Sequence, residues 1–119
     1  MTAASLRPRV MLELWQTEWC PASQRIRERL TELGIDYVTR QVPVDKEQRT
    51  ALRQKTSSDT IPALVLETGT VEIGEEAIRR YLDDQIAEPP EAEAHRLKAA
   101  KARRRYLEEE CECSQRPTH

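Results

Sequence analysis

Residues 15–23 read Trp-Gln-Thr-Glu-Trp-Cys-Pro-Ala-Ser, and this stretch joins an apolar run to the start of an amphipathic segment. The run before it, residues 10–14, alternates apolar side chains with others, as a strand buried on one face does. After it, Pro21 suits the first turn of a helix, and apolar residues then recur at helical spacing as far as Gly34. The stretch therefore predicts a strand that leads through Cys20 into a helix.

Cys20 is predicted to lie at the N-terminus of that helix, where backbone amides lack partners and the helix dipole favours an anion. A thiolate is the anion that a cysteine supplies, and such positions lower the pKa of a thiol below its free value of about 8.5. The local charges are mixed, because Glu18 opposes a thiolate whereas Arg25 and Arg27 favour one. We expect a modestly lowered pKa and a nucleophilic Cys20. The alternative is an inert, buried cysteine that only packs.

The rest of the chain supplies the other elements of an α/β domain. Residues 35–42 are rich in β-branched side chains and predict a second strand, and Asp45 with Gln48 three residues later predicts a capped helix of about ten residues. Residues 63–67 and 71–73, joined by a turn that contains glycine, predict a hairpin. A helix that begins with two glutamates follows. The order β-α-β-α-β-β-α is that of a thioredoxin-like fold, a mixed sheet covered by helices.

Three motifs in sequence order resemble the glutaredoxins and the N-terminal, thiol-binding domain of the glutathione transferases. The first is the strand, Cys-Pro-x-Ser and helix around Cys20. The second is Thr60-Ile61-Pro62, which is similar to the family's loop with a cis proline, and the third is Gly74-Glu75-Glu76, where the family begins a helix beside the bound thiol. The resemblance covers about residues 9–83. Because it rests on three motifs in the family's order, it is more specific than Cys-Pro-x-Ser alone.

The resemblance implies that Cys20 attacks a mixed disulfide between a protein and a small thiol. Ser23 stands where dithiol relatives have a second cysteine, so the implied chemistry is the monothiol cycle. We expect Ser23 either to donate a hydrogen bond to the Cys20 thiolate or to serve only as a hydroxyl at the helix start. The catalytic residues of this interpretation are Cys20 and Ser23.

The resemblance also implies a surface that holds the thiol. A cis proline would turn the backbone of Ile61 toward Cys20, so that its amide and carbonyl pair with the ligand in the manner of a strand. Glu75 matches the acid that pairs with the ammonium of glutathione in the family, but Glu76 replaces a serine and would repel the ligand carboxylate. The co-substrate is therefore glutathione or another low-molecular-weight thiol. The predicted thiol-binding residues are Pro21, Thr60, Ile61, Pro62, Glu75 and Glu76.

Composition restricts the other classes of function. The chain has 119 residues, with 19 Lys and Arg against 21 Asp and Glu, so its net charge of -2 indicates neither nucleic acid nor an anionic membrane as a partner. No apolar stretch approaches the roughly 18 residues that span a bilayer, and the first residues lack a signal region. Three cysteines do not make a secreted disulfide framework, and we expect a cytoplasmic protein.

The predicted organisation has four segments. Residues 1–8 form a flexible N-terminus, 9–84 the thioredoxin-fold domain, 85–110 a linker and an extra C-terminal helix, and 111–119 a flexible tail. The composition of the extra helix favours helix strongly, but its apolar stripe is thin. We expect it to be docked or partly solvated, with a weak homodimer contact as the alternative to a monomer.

Three functions fit these residues. The first is a glutaredoxin-like monothiol thiol-disulfide oxidoreductase that acts on mixed disulfides and needs no tightly bound cofactor or metal. The second is a non-catalytic module that binds a thiol or peptide in the same groove, suggested by Glu18, Ala22 and Glu76. The third is an iron-sulfur carrier, although monothiol carriers have glycine where this chain has Pro21. The tail thiols, Cys111 and Cys113, are alternatives for resolving the mixed disulfide.

Overall fold

A computed structural model of the chain describes residues 11–108, so the predicted flexible segments 1–8 and 111–119 lie outside the described residues. Its elements follow the predicted order. They are β1 (Leu12–Gln16), α1 (Pro21–Glu32), β2 (Tyr37–Gln41), a 3₁₀ turn (Lys46–Gln48), α2 (Thr50–Thr56), β3 (Ala63–Val65), β4 (Val71–Ile73), α3 (Glu75–Gln85) and α4 (Ala92–Glu108). The thioredoxin-like arrangement is confirmed, with α4 as the extra C-terminal helix.

The four strands form one mixed sheet in the order β2-β1-β3-β4. β1 and β2 are parallel because α1 carries the chain back between them, whereas the β1–β3 and β3–β4 pairs are antiparallel. In the β1–β3 pair, Trp15 lies opposite Ala63. The C-terminal end of β1 and the N-terminal end of β3 therefore lie side by side at the same end of the strands. The Cys20 segment follows β1 there, and the Ile61-Pro62 segment enters β3 there.

Apolar side chains from alternate positions of the strands pack on the two faces of the sheet. The larger cluster joins the strands to α1 and α3 and contains six side chains with no exposed area, namely Leu14, Ile26, Leu30, Leu64, Ile78 and Leu82. The smaller cluster contains Val42, Leu52 and Ala63, with Trp15 packed against it. Because Leu14 and Trp15 are adjacent on β1, the two clusters lie on opposite faces, and α1 is anchored to the sheet just beyond Cys20.

The predicted capped helix after β2 is wrong in its start and its cap. Asp45 makes no capping hydrogen bond through its side chain, and residues 46–48 form a short 3₁₀ turn. The helix begins only at Thr50, because Arg49 has a ψ of 45°, outside the helical range. The Arg49 side chain turns inward and donates to the carbonyls of Pro43 and Val44. Neither the 3₁₀ turn nor α2 has a side-chain cap.

The described chain divides into two compact units between Ala87 and Glu88. The first contains the sheet with α1, α2 and α3. The second contains α4, where Glu88 pairs with Arg96 at 2.8 Å. Within residues 11–108, no helix combines the length and the apolar character needed to cross a bilayer.

Candidate functional site

Cys20 is the N-cap residue of α1, as its position in the sequence predicts. Its backbone is extended (φ −76°, ψ 120°), and Pro21 is the first helical residue. The Cys20 sulfur accepts a hydrogen bond from the Ser23 amide at 3.4 Å. Cys20 is a half-buried, free cysteine. The sulfur thus occupies the place that a capping oxygen takes in most helices, next to the unpaired amides of the first turn.

Ser23 is fully buried and connects the sulfur to the loop before it. Its Oγ accepts a hydrogen bond from the amide of Thr17 at 3.4 Å, and its hydroxyl hydrogen-bonds to Cys20. A hydroxyl has one proton to donate and two lone pairs, so both contacts are compatible. The amide of Thr17 therefore orients Ser23 as a donor to the sulfur.

The pKa of the Cys20 thiol is lowered from its ordinary value. Partial burial opposes this and raises the pKa, but it is outweighed by the hydrogen bonds from the Ser23 hydroxyl and from the amides of Ser23 and Ala22. The positive charge of Arg25 lowers the pKa further. Each of these groups stabilises the thiolate, the form in which a cysteine is a nucleophile.

Arg25 joins α1 to the start of α3. Its Nε and Nη2 atoms bind the two carboxylate oxygens of Glu75 at 2.6 and 2.9 Å, a bidentate pair. Arg79 lies 3.9 Å from the same carboxylate. The hydrogen bonds from Arg25 hold the pKa of Glu75 below its ordinary value, against a smaller effect of burial. The carboxylate that the resemblance assigns to a ligand ammonium is thus bound to an arginine of the chain itself.

The other arginine expected near the sulfur, Arg27, points elsewhere. It donates to the side chain of Gln16 and to the carbonyls of Thr17 and Glu18, at 3.3 and 3.4 Å for the two carbonyls. Glu18 itself is exposed and lies 3.7 Å from Arg27. Arg27 therefore holds the loop that leads into Cys20. Of the two arginines, Arg25 is the one whose charge stabilises the thiolate.

The loop before β3 presents an unpaired stretch of backbone. The Ile61–Pro62 peptide bond is cis, as the resemblance predicts. The Pro62 carbonyl accepts a hydrogen bond from the Gly74 amide at 2.8 Å, and the Thr60 amide donates to Ser58 Oγ at 3.1 Å. Within residues 11–108, the amide and the carbonyl of Ile61 form no hydrogen bond. Both groups are thus without a partner in this part of the chain, and Ile61 is only partly buried.

The three sequence motifs lie together at one end of the sheet, next to the end of β1, the start of β3 and the end of β4. The Gly74–Pro62 hydrogen bond joins the second motif to the third, and the Arg25–Glu75 pair joins the third to the helix of Cys20. Glu76 is exposed and has no partner in the described part of the chain.

The two tryptophans before Cys20 differ in environment. Trp19 is 62% exposed, next to the cysteine, whereas Trp15 packs against the smaller cluster.

Cys111 and Cys113, which the sequence offers as resolving thiols, lie outside the described residues. Among residues 11–108, no three His, Cys, Asp or Glu side chains are placed to hold a metal ion.

The fold of the chain and the position of Cys20 define a thioredoxin-like domain with a free cysteine at the N-terminus of its first helix. A family model described as glutathione S-transferase, N-terminal domain, matches residues 14–90. The chain belongs to this family. A comparison with curated protein sequences found no match.

Solved structures of glutathione transferases share the fold. A glutathione S-transferase domain-containing protein from Marinobacter aquaeolei is 32% identical, with a TM-score of 0.55, and the match covers 65% of this chain and 40% of that one. A glutathione S-transferase from Sinorhizobium meliloti is 22% identical, with a TM-score of 0.59 and coverage of 82% and 45%. A Sulfitobacter homologue with bound glutathione is 18% identical, with a TM-score of 0.59 and coverage of 84% and 50%. The chain spans half or less of the length of these three proteins.

Substitution of Arg25 tests the electrostatics of the site. Arg25→Met is expected to raise the pKa of Cys20, because it removes the positive charge that stabilises the thiolate. The pH profile of Cys20 alkylation by iodoacetamide, in a variant with serine at 111 and 113, should move to higher pH, and the rate at neutral pH should fall. Arg80→Met removes the same charge from an exposed position on α3 and serves as the control. Superimposable profiles for the Arg25 and Arg80 variants would contradict this assignment.

Proposed function

We propose that the chain is a monothiol thiol-disulfide oxidoreductase, similar to the glutaredoxins, that acts on mixed disulfides between proteins and a low-molecular-weight thiol. The observation that carries the proposal is the half-buried Cys20 sulfur at the N-terminus of α1, with a lowered pKa and a hydrogen bond from Ser23. The unpaired backbone of Ile61 supports it, because a disulfide substrate needs groups that align it with the sulfur.

The proposed reaction has two exchanges. The Cys20 thiolate attacks the sulfur of the small thiol in the mixed disulfide, so that a bond forms between these two sulfurs and the disulfide bond breaks. The protein thiolate leaves and takes up a proton. A second molecule of the small thiol, as its thiolate, then attacks the same small-thiol sulfur and releases Cys20. In total the protein thiol is regenerated and one free small thiol is oxidised, because it leaves joined to the small thiol of the mixed disulfide as their disulfide. A reducing, cytoplasmic setting would supply the free thiol.

Ser23 and the loop before β3 have distinct parts in this proposal. Ser23 stabilises the Cys20 thiolate both before attack and when it is released, and because it has no sulfur it cannot form the disulfide with Cys20 that a second cysteine at this position would form. The amide and carbonyl of Ile61 pair with the backbone of the small thiol. The side chains and backbone proposed to surround the ligand are those of Pro21, Thr60, Ile61, Pro62, Glu75 and Glu76.

Glutathione is the first thiol to test, since structures of similar fold from Sulfitobacter and rice contain it. Glu76 bears on this choice because a second carboxylate at the start of α3 disfavours a ligand carboxylate there. A small thiol without a carboxylate at that position would avoid the repulsion. The proposed partners are accordingly a small thiol and proteins that carry it as a mixed disulfide.

A second candidate function is a non-catalytic module that binds a thiol or a peptide. The Arg25–Glu75 pair favours it, because a Glu75 already bound by two hydrogen bonds does not offer its carboxylate to the ammonium of glutathione, the co-substrate of the oxidoreductase, whereas a peptide paired with the backbone of Ile61 does not need that carboxylate. In such a module the thiol would bind reversibly beside Cys20 and no disulfide would be exchanged. An unperturbed Cys20 pKa and the absence of turnover would favour this function over the oxidoreductase.

Mass spectrometry of the full chain, after incubation with oxidised glutathione or other oxidised small thiols, tests the proposal. We expect one disulfide adduct, located on Cys20 and removed by the corresponding reduced thiol. The same adduct should form in the Cys111→Ser, Cys113→Ser double variant. Adducts confined to the two tail cysteines, or a Cys20 that forms none with any thiol, would reject the oxidoreductase.

A further inference from the structure

Arg49 is a buried arginine that binds three backbone carbonyls. Only 6% of the residue is exposed. Its Nε donates to the carbonyl of Pro43 at 2.8 Å, Nη2 to that of Val44 at 3.0 Å and Nη1 to that of Asp59 at 2.9 Å. All three nitrogens of the guanidinium group are used. Within residues 11–108, Arg49 forms no ion pair with a carboxylate, so its charge is compensated by carbonyl dipoles.

The three carbonyls belong to two segments that are distant in sequence. Pro43 and Val44 follow β2, whereas Asp59 lies immediately before Thr60 and Ile61. Between them the chain makes the 3₁₀ turn and α2. A planar guanidinium with fixed donor directions holds both segments in one orientation, which a single flexible ammonium does less well. Hydrogen bonds with a charged donor are also stronger than those between neutral groups.

The segment held by Arg49 leads directly to the unpaired backbone of the site. On its other side, the loop is tied by the Pro62 carbonyl to the Gly74 amide. Ile61 lies between these two attachments and has no backbone hydrogen bond of its own in the described chain. Its orientation therefore depends on the attachments on both sides. Before Ile61, the Thr60 amide is bound locally to Ser58 Oγ, and Arg49 supplies the contact that ties the loop to the segment after β2.

We propose that Arg49 is a positioning residue for thiol binding: by fixing the carbonyl of Asp59 to the end of β2, it aims the backbone of Ile61 at the ligand of Cys20. This inference rests on the proposed function, because it assumes that a small thiol binds beside Cys20. It predicts that loss of Arg49 impairs reactions that need an aligned thiol ligand. Reactions that need only the Cys20 thiolate should continue, because Arg49 contacts neither Cys20 nor Ser23.

The test compares Arg49→Met with Arg53→Met. Arg53 is a matched control, since it also donates to backbone carbonyls, those of Lys46 and Glu47 at 2.7 and 3.0 Å, but does not reach the loop before β3. Two reactions of Cys20 are measured in the background with serine at 111 and 113. In Arg49→Met, adduct formation with oxidised glutathione should fall about tenfold or more. Alkylation by iodoacetamide, which needs no aligned ligand, should stay within about twofold of the unsubstituted rate.

The position of the loop is measured separately by NMR relaxation of the Ile61 amide. Its order parameter should drop from about 0.85, the value of a rigid backbone, to below about 0.6 in Arg49→Met. Arg53→Met should keep the rigid value. If Arg49→Met does not fold, Arg49→Lys, which keeps the charge and reaches fewer carbonyls, should show smaller changes in the same direction.

Two results would overturn the inference. One is a folded Arg49 variant whose Ile61 order parameter equals that of the unsubstituted protein. The other is a mobile Ile61 with an unchanged rate of adduct formation. Failure of the proposed function is a different result: the unsubstituted protein then forms no adduct with any thiol, while the order parameter still decides whether Arg49 holds the loop.

Discussion

Substitution of Cys20 by serine is expected to abolish reduction of a mixed disulfide by this protein. A hydroxyl oxygen is not ionised at neutral pH and cannot form the intermediate disulfide with a small thiol, so no other step of the cycle can proceed. The structure suits the test because a hydroxyl can occupy the same N-cap position and accept the hydrogen bond from the Ser23 amide. We therefore expect a folded but inactive variant, with the rate reduced to that of the uncatalysed exchange.

The measurement is the rate at which a peptide or protein carrying a glutathione mixed disulfide is reduced in the presence of glutathione. The control is the Cys111→Ser, Cys113→Ser variant, which keeps Cys20 and should keep the activity. Circular dichroism of Cys20→Ser establishes that the fold is intact. Turnover by a folded Cys20→Ser variant would show that another thiol, not Cys20, is the nucleophile.

Truncation of Leu30 to alanine is expected to produce a large loss of stability. Leu30 lies on α1 in the larger cluster and has no exposed area. Leucine-to-alanine changes at such positions cost about 2 to 5 kcal/mol, because apolar contacts are lost and a cavity remains. That is a large part of the roughly 5 to 15 kcal/mol by which a domain is stable. Since α1 carries Cys20 at its N-terminus, the arrangement around Cys20 should also be lost at a lower denaturant concentration than in the unsubstituted protein.

Urea unfolding followed by circular dichroism measures this prediction. With a slope of about 1 to 3 kcal/mol per M urea, the midpoint should fall by about 0.7 M or more. Leu97→Ala is the control: Leu97 also lies in a helix but is 65% exposed. Its free energy of unfolding should change by less than about 0.5 kcal/mol. Equal midpoints for the two variants would mean that the packing around α1 does not have the stabilising role described here.

Local sequence patterns were enough to predict most of the architecture. Alternation before Cys20, helical spacing after it, Pro21 at the first turn and the glycine turn between β3 and β4 all act within a few residues of one another. The same locality explains the failure at α2. Asp45 and Gln48 fit a capping pattern, but the chain makes a 3₁₀ turn there, and the next residue, Arg49, is buried and binds the carbonyl of Asp59, ten residues away, a contact that no local pattern indicates.

By itself, the sequence determined the order of the elements, the N-cap position of Cys20 and the absence of a second cysteine at Ser23, because each follows from residue type and short-range periodicity. Only the tertiary structure decided which charges meet. Arg25 and Arg27 are indistinguishable as letters, yet one pairs with Glu75, fifty residues away, and the other binds the loop before Cys20. The physical reason is that a side chain's partner depends on how helices and sheet pack together, and packing joins residues that no local pattern relates.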